Sequence, residues 1–304
     1  MNVTEIPHVS TPAGISFESF TVALVLYLAG LLLSFARWHI LLRSYGIRES
    51  FTRVSLAYLS SYAVFTFTPL GRLGSEGYRV TLVLKDKPGP GVIASVAYER
   101  TLDGLSILGL FTGWIIGIIL GLSPLYLSVG FMMLIPFVLS IQGSLSRFSV
   151  GVEKWANRLP KVGKYLSKFM GGKADIGEEP DKVPRITSAV VTIVMWMLNM
   201  FHIAVLLKAL GFKDVLLGAP AVLLVEMLGL GLPVPIPAGL GIMDTLTAIT
   251  LKAAGLGTGF VGQYLLIERI IISVIPGLLG LLAMLHLGVR LIWRRKSKTY
   301  IDNL

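Results

Sequence analysis

The chain has 304 residues, of which 54% are hydrophobic and only 14% are charged, and its mean hydropathy is positive. A soluble domain of this length would carry about 25% charged residues, so these values exclude that class and indicate a polytopic membrane protein. The absence of cysteine excludes disulfides and thiolate chemistry. The net charge of +10 comes from basic residues in loops between apolar runs. That placement is typical of topology signals at anionic lipid surfaces and does not favour nucleic-acid binding.

The first apolar run covers about residues 20–42 and is long enough to cross the hydrocarbon of a bilayer. No Lys or Arg precedes Arg37, whereas three arginines follow the run, and the chain ends in a second basic segment at residues 290–298. By the positive-inside rule, this predicts an external N-terminus and a cytoplasmic C-terminus in a multi-pass protein of the cell membrane.

Two apolar segments are too short to span and are each followed by a Gly/Pro-rich break and a second short helix. The first pair is about residues 54–67 and 75–84, with the break at residues 69–74. The second pair is about residues 219–232 and 242–254, around the break at residues 233–241. Each pair predicts a re-entrant hairpin, because non-helical backbone at membrane depth must line a cavity or be buried in protein. Two tilted full spans in place of each hairpin are the alternative.

The remaining apolar runs predict four further spans, at about residues 92–120, 125–141, 186–210 and 264–291. In the first of these, Gly109, Gly113, Gly117 and Gly121 recur every four residues. We expect this smooth helix face to let another backbone approach closely. The polar insertion at about residues 144–185 predicts an amphipathic helix in the cytoplasmic interface, followed by a loop.

The chain contains an internal repeat, with repeat A at about residues 18–120 and repeat B at about residues 186–291. Glu76 of the motif PLGRLGSEGYR corresponds to Asp244 of PAGLGIMD, 168 residues later. Three full spans separate the starts of the repeats, so the second repeat should be inverted relative to the first. The predicted fold is therefore a single all-α polytopic membrane domain, an inverted-repeat helical bundle with about five full spans and two re-entrant half-helix hairpins.

Ionisable side chains at membrane depth are costly and mark candidate binding sites. The second helix of each hairpin starts at the break, and a helix N-terminus attracts anions. We expect Ser75 to cap the first such helix, and Arg72 and Arg79 to flank it and hold a lipid phosphate while facing a watery cavity. The alternative is that the arginines reach the headgroup layer by snorkelling. The remaining predicted substrate-binding residues, which line the path, are Glu76, Glu226 and Asp244. The second half-site, with Glu226 and Asp244, suits a cation or a proton.

A second group of charged residues predicts an ion-pair network that ties the two repeats together. Its members are Glu99, Arg100, Asp103, Glu268 and Arg269, in which the Glu-Arg pair is duplicated. A structural role and a transport role both remain open for these residues.

The sequence contains no arrangement typical of a catalytic or cofactor site. His39 and His202 lie in spans without a neighbouring ligand cluster, so we interpret both as packed or interfacial side chains. We expect no catalytic residue, no metal and no cofactor.

With the motifs GRLGSEGYR after Pro69, YERTLD around Glu99, PIPAGLGIMD, and IERI around Glu268, the chain resembles the lysylphosphatidylglycerol synthase transmembrane-region family over nearly its whole length. The resemblance implies a flippase-like protein that moves a phospholipid or polyprenyl-linked lipid between leaflets. Bifunctional members carry a soluble aminoacyltransferase domain after the membrane part. Because this chain ends at Leu304, we expect it to lack that synthase activity and not to be an enzyme.

The function predicted from the sequence is translocation of a membrane lipid with an anionic headgroup. One alternative is an intramembrane enzyme that modifies lipid headgroups. Another is a non-transporting partner subunit of a glycosyltransferase or synthase. The expected partners are the lipid itself and, as further possibilities, a second copy of the chain or a synthase, with no nucleic acid.

Overall fold

The computed structural model describes residues 15–69, 71–83, 90–143, 180–212, 215–231 and 237–301, and in these ranges the regular structure is entirely helical. This confirms the predicted all-α class. The ten α-helices are α1 (Phe17–Ser44), α2 (Phe51–Phe67), α3 (Gly71–Val83), α4 (Pro90–Leu120), α5 (Pro124–Gln142), α6 (Lys182–Ala209), α7 (Val215–Gly231), α8 (Ile242–Ala253), α9 (Thr258–Arg269) and α10 (Ile275–Ile301). A 3-10 turn, Pro237–Gly239, precedes α8, and a π-helical turn, Ile270–Val274, joins α9 to α10.

Five helical segments of the described chain are long and apolar enough to cross a membrane. They are Phe17–Ser44, Gly91–Leu120, Pro124–Gln142, Lys182–Ala209 and Thr258–Gly288. These are the five spans predicted from the sequence, with ends that differ by a few residues. The last span starts at Thr258 instead of Tyr264, because α9, the π turn and α10 form one continuous helical segment.

Four short helices, α2, α3, α7 and α8, make up the two predicted hairpins. α2 has 17 residues and α3 has 13, which gives lengths of about 26 Å and about 20 Å. Both are shorter than the roughly 30 Å of hydrocarbon in a bilayer. The lengths agree with half-spans, and the depth of the hairpins stays a prediction.

The first break is narrower than the sequence predicted. Thr68 is extended, with φ −121° and ψ 152°, as expected for a residue that precedes a proline. The helix resumes at Gly71 instead of residue 75, because only Pro69 opposes helical backbone in this stretch. The predicted cap at Ser75 is therefore wrong, since Ser75 is the fifth residue of α3 and lies inside the helix.

The apolar core has two main parts, and α1 contributes to both. One part packs α1 against α6, α7 and α9 around Tyr27, Leu206 and Tyr264. The other packs α1 against α2, α3 and α4 around Trp38 and Val54. α1 thus connects the helices of repeat A with those of repeat B.

The glycine face of α4 packs directly on α5, as the spacing predicted. A Cβ atom built at Gly109 would collide with the backbone of Phe131, and one at Gly113 with the backbone of Leu127. Such contacts with backbone atoms leave no room for any other residue type.

The predicted cytoplasmic insertion at residues 144–185 falls almost wholly outside the described residues, which resume at residue 180. The amphipathic helix expected there stays a prediction.

Candidate functional site

A cavity of about 140 Å³ lies between the two repeats, a volume that accommodates a phosphate or a small ring. It is bounded by α1, α2, α3 and α4 on one side and by α6, α7 and the α9–α10 junction on the other. Its lining is Tyr27, Gly30, Leu31, Ser34, Arg37, Tyr58, Ser61, Tyr62, Phe65, Ser75, Glu76, Arg79, Arg100, Asp103, Met195, Trp196, Asn199, Leu223, Glu226, Ala238, Met243, Arg269, Ile272 and Ser273. Many of these side chains are charged or polar, although several of the long apolar helices contribute to the lining.

Glu99 is the centre of the charged cluster in repeat A and is fully buried. Its Oε1 accepts hydrogen bonds from Arg37 Nη2 at 2.8 Å and from the Tyr58 hydroxyl at 3.2 Å. Its Oε2 accepts a bond from Arg79 Nη2 at 2.5 Å. A carboxylate held by two guanidinium groups at this depth is stable only because both of its oxygens are paired.

Arg79 lines the cavity, but it does not face water as the sequence prediction required. Its side chain is 1% exposed. The guanidinium lies between two aromatic rings, with Cζ 4.6 Å from the ring centroid of Trp38 and 4.5 Å from that of Tyr58. It therefore combines the ion pair with Glu99 and two cation–π contacts, and it lies two turns into α3, away from the helix N-terminus. Arg79 Nε and Nη1 have no hydrogen-bond partner among the described residues.

Arg37 is a member of the site that the sequence analysis used only as a topology signal. It is 1% exposed and lies in the C-terminal half of the span formed by α1. Besides Glu99, it donates to Asp103 Oδ1 at 2.7 Å and to Thr192 Oγ1 of α6 at 3.0 Å. A lone arginine inside an apolar run was the available signal, because intramembrane charge indicates a functional or paired position. Trp38, Tyr58 and Thr192 gave no comparable signal.

Each repeat contains an ion pair at equivalent positions of the repeat alignment. In repeat A, Arg100 Nε lies 2.6 Å from Glu76 Oε1. In repeat B, Arg269 Nε lies 2.7 Å from Asp244 Oδ1. Arg100 also bonds to Asp103 Oδ2 at 2.8 Å. These equivalent contacts support the duplicated arrangement.

The backbone at the break in repeat B is hydrogen-bonded to this ion pair. Ala238 adopts the left-handed conformation, with φ 48°, which is uncommon for a residue other than glycine. Its carbonyl oxygen accepts a bond from Arg269 Nη1 at 2.6 Å. Asp244 Oδ2 accepts a bond from the Gly241 N–H at 2.9 Å and so caps α8. Asp244 and Arg269 together hold the strained turn beside the cavity.

Three buried ionisable side chains of repeat B, His202, Glu226 and Glu268, form a second set without an arginine. His202 Nε2 lies 2.8 Å from Glu268 Oε2, and both side chains are buried. Glu226 lines the cavity and accepts a bond from the Tyr264 hydroxyl at 3.3 Å. His202 was interpreted from the sequence as a packed side chain, and it is packed but also paired. His39 bonds to the Glu49 carbonyl oxygen at 3.1 Å and takes no part in the cavity.

The predicted ion-pair residues do form ion pairs, and each described pair lies within one repeat. Hydrogen bonds join the repeats instead. Arg37 donates to Thr192, and His202 bonds to the Ala23 carbonyl oxygen. The π turn adds another such contact, because its Ile272 carbonyl accepts a bond from the Tyr27 hydroxyl at 3.2 Å.

Apart from Arg72, the predicted substrate-binding residues lie around one cavity. Ser75, Glu76, Arg79 and Glu226 line the cavity, and Asp244 borders it through Arg269. Arg72 is the second residue of α3, and its side chain lies outside the described residues. In the described chain, no group of His, Asp and Glu has the geometry of a metal site.

Comparison with known proteins shows similarity over most of the chain. Residues 10–280 match the family described as the lysylphosphatidylglycerol synthase TM region. A UPF0104 membrane protein of Methanocaldococcus jannaschii is 21% identical over 305 aligned residues, which cover 92% of this chain and 88% of that protein. No solved structure matches the chain.

Proposed function

The chain belongs to the lysylphosphatidylglycerol synthase transmembrane-region family, and on that premise we propose that this multi-pass membrane protein is a lipid translocase. It moves a phospholipid or polyprenyl-linked lipid with an anionic headgroup between the leaflets. The observation that carries the proposal is the charged cavity between the two repeats, surrounded by apolar spans. Such a cavity lets a polar headgroup cross the hydrocarbon while its acyl chains remain in lipid.

The headgroup phosphate binds to Arg79 in this proposal. Arg79 lines the cavity and keeps two donor nitrogens, Nε and Nη1, that have no acceptor among the described residues. Buried donors of this kind are costly unless an acceptor reaches them. The guanidinium is held in place by Trp38 and Tyr58, so it is preorganised to donate a hydrogen bond to a phosphate oxygen in its plane.

The charge balance of the cavity limits how tightly an anion can bind. Arg37, Arg79, Arg100 and Arg269 pair with four carboxylates, namely Glu76, Glu99, Asp103 and Asp244. The arginines therefore offer hydrogen-bond donors and little uncompensated positive charge. Loose binding suits a translocase, because a lipid that is held too tightly in the middle of the membrane would not leave.

The proposal is tested by leaflet exchange of a labelled anionic lipid in proteoliposomes, with the melting temperature measured in parallel. Wild-type protein should exchange lipid much faster than protein-free liposomes. Arg79→Lys should slow exchange, because an ammonium keeps the charge near Glu99 but loses the planar donors and the ring contacts. The control is Arg53→Gln, since Arg53 forms a half-exposed pair with Glu49 outside the cavity.

Two outcomes would contradict different parts of the proposal. Exchange by wild-type protein at the protein-free rate would contradict lipid translocation itself. Exchange by folded Arg79→Lys protein at the wild-type rate would contradict Arg79 as the phosphate contact and leave translocation standing.

A further inference from the structure

Repeat B contains a buried group of titratable side chains that the phosphate contact does not use. Glu226 is 9% exposed, Glu268 is 4% exposed and His202 is 1% exposed. None of the three forms an ion pair with an arginine in the part of the chain that the structure describes. Arg269 interacts electrostatically with Glu226, but its own bonds go to Asp244 and to the Ala238 carbonyl.

The His202–Glu268 contact contains a proton. The Ala23 carbonyl oxygen can only accept, so His202 Nδ1, which lies 2.9 Å from it, carries a hydrogen. His202 Nε2 and Glu268 Oε2 lie 2.8 Å apart. A neutral Nε2 and an ionised carboxylate would both be acceptors and would repel at this distance. One proton must therefore lie between them, on either the imidazole or the carboxyl group.

Glu226 is a second place where a proton can bind. The Tyr264 hydroxyl is its hydrogen-bond partner among the described side chains. A carboxylate buried with one neutral donor and no paired cation is strongly disfavoured in its ionised form. Glu226 also lines the cavity, whereas Glu268 and His202 lie behind it. Glu226 is thus the member of the group that can exchange protons with the cavity.

The charged and titratable groups that face this cluster come from several helices. From α9, Glu268, Arg269 and Tyr264 face Glu226. From α1, the ring of Tyr27 lies 5.7 Å from that of His202. The tyrosines keep their protons at neutral pH. Glu226 and the His202–Glu268 pair are therefore the groups of this cluster that the proposal uses.

Glu268 retains an unused acceptor. Its Oε1 is buried and has no hydrogen-bond partner among the described residues. Glu226 is its acidic neighbour across the interface between α7 and α9. A second proton can thus bind at Oε1, on a carboxyl group close to Glu226, while the first stays between His202 and Glu268. Glu226 and the His202–Glu268 pair are thus two neighbouring proton-binding positions beside the cavity.

We propose that Glu226 and the His202–Glu268 pair form a proton-binding site that couples lipid movement to the movement of protons across the membrane. The coupling rests on the proposed lipid translocation, whereas proton binding by the cluster does not. With the cavity closed, Glu226 holds a proton and is neutral. When the cavity opens to water on one side, Glu226 releases that proton, and the change of charge at the lining favours the exit of the anionic headgroup.

Proton binding is tested on purified wild-type protein by infrared difference spectroscopy across a pH titration. The C=O stretch of a protonated carboxyl group should appear as the pH falls, and it should be lost in Glu226→Gln. The amide of the substitute can still accept from Tyr264, so the fold should be retained. Glu49→Gln, which removes a carboxylate outside the cavity, should keep the band. A wild-type spectrum without a titrating carboxyl band, or one that Glu226→Gln leaves unchanged, would overturn the proton site.

Coupling is tested in proteoliposomes by following leaflet exchange of labelled anionic lipid and internal pH together. An imposed pH gradient should accelerate wild-type exchange several-fold, with proton flux in parallel. Glu226→Gln and Glu268→Gln should abolish the acceleration by the gradient, whereas Glu49→Gln, outside the cavity, should keep both the acceleration and the rate seen without a gradient. Exchange that proceeds in wild type but ignores the pH gradient, or follows a sodium gradient at constant pH, would refute coupling to protons while leaving translocation intact. Absence of all exchange would refute translocation and, with it, the coupling, while the spectroscopic result would still decide whether the cluster binds protons.

Discussion

At the scale of single residues, the cavity is organised by shared partners. Glu99 is held by both Arg37 and Arg79, and Asp103 by both Arg37 and Arg100. Substitution of one residue in this group therefore changes the charge balance around the others. Effects of substitutions in this group should be far from additive.

Arg79→Gln should destabilise the protein by about 3–5 kcal/mol, because it leaves Glu99 undercompensated and removes the guanidinium from between two rings. The measurement is thermal or denaturant unfolding in detergent. Arg53→Gln is the matched control and should cost at most about 1 kcal/mol, since its pair with Glu49 is 3.7 Å long and partly exposed. Equal stability of Arg79→Gln and wild type would show that the ion pair and the ring contacts contribute little to folding.

At the scale of helices, the repeats differ in what surrounds their duplicated glutamates. Glu99 of α4 meets arginines from α1 and α3, whereas Glu268 of α9 meets a histidine from α6. α1 and α6 are the corresponding first helices of the two repeats. The same architecture thus presents guanidinium donors on one side of the cavity and groups that exchange protons on the other.

Gly113→Ala should destabilise the α4–α5 contact by about 1–3 kcal/mol, because the new methyl group would collide with the backbone of Leu127. Gly104→Ala on the same helix is the control, since nothing lies within 4 Å of a Cβ at that position. It should be neutral or stabilising by up to about 1 kcal/mol, as alanine favours helix. The measurement is the unfolding midpoint of each variant in detergent. If both shifted equally, the close approach of α4 and α5 would not be tight.

A spin label at Leu240, just after the turn at Pro237–Gly239, should report a depth well inside the membrane. Leu240 is 51% exposed, so the label can be accommodated without disturbing the core. A label at Ser123, in the turn between α4 and α5, should report the aqueous interface and serves as the reference. Equal depths for both labels would favour two full spans over a re-entrant hairpin.

At the scale of the whole molecule, the arrangement depends on how the chain enters the membrane. The basic residues that follow α1 and those at the end of α10 predict an external N-terminus and a cytoplasmic C-terminus. Five spans agree with termini on opposite sides.

Single cysteines test this topology in a chain that has none of its own. Cysteines at Thr4, Ser123 and Lys213 should react with an impermeant thiol reagent in intact cells. Cysteines at Ser167 and Ser297 should react only after permeabilisation. Reaction of the last two in intact cells would contradict the predicted orientation of the chain in the membrane.

The five spans, the two short helix pairs and the glycine face of α4 were predictable from the sequence, because each depends on local length, composition or spacing. The membrane class followed for the same reason. Membership of the charged cluster was also predictable in outline, since an ionisable residue in an apolar run is conspicuous. Arg37 carried the same signal, but its position in the first span was interpreted only as a marker of topology.

The partners of these residues were decided by the tertiary structure. Glu99 lies 62 residues from Arg37, Thr192 lies 155 residues from Arg37, and Glu268 lies 66 residues from His202. No local pattern encodes such separations, which arise from the packing of helices that are distant in the sequence. The start of α3 was likewise misplaced, because proline restricts only its own neighbourhood and helical packing continued up to Gly71. The sequence by itself determined which residues are charged at membrane depth, and the packing of the helices decided which of them neutralise one another and which remain able to exchange a proton.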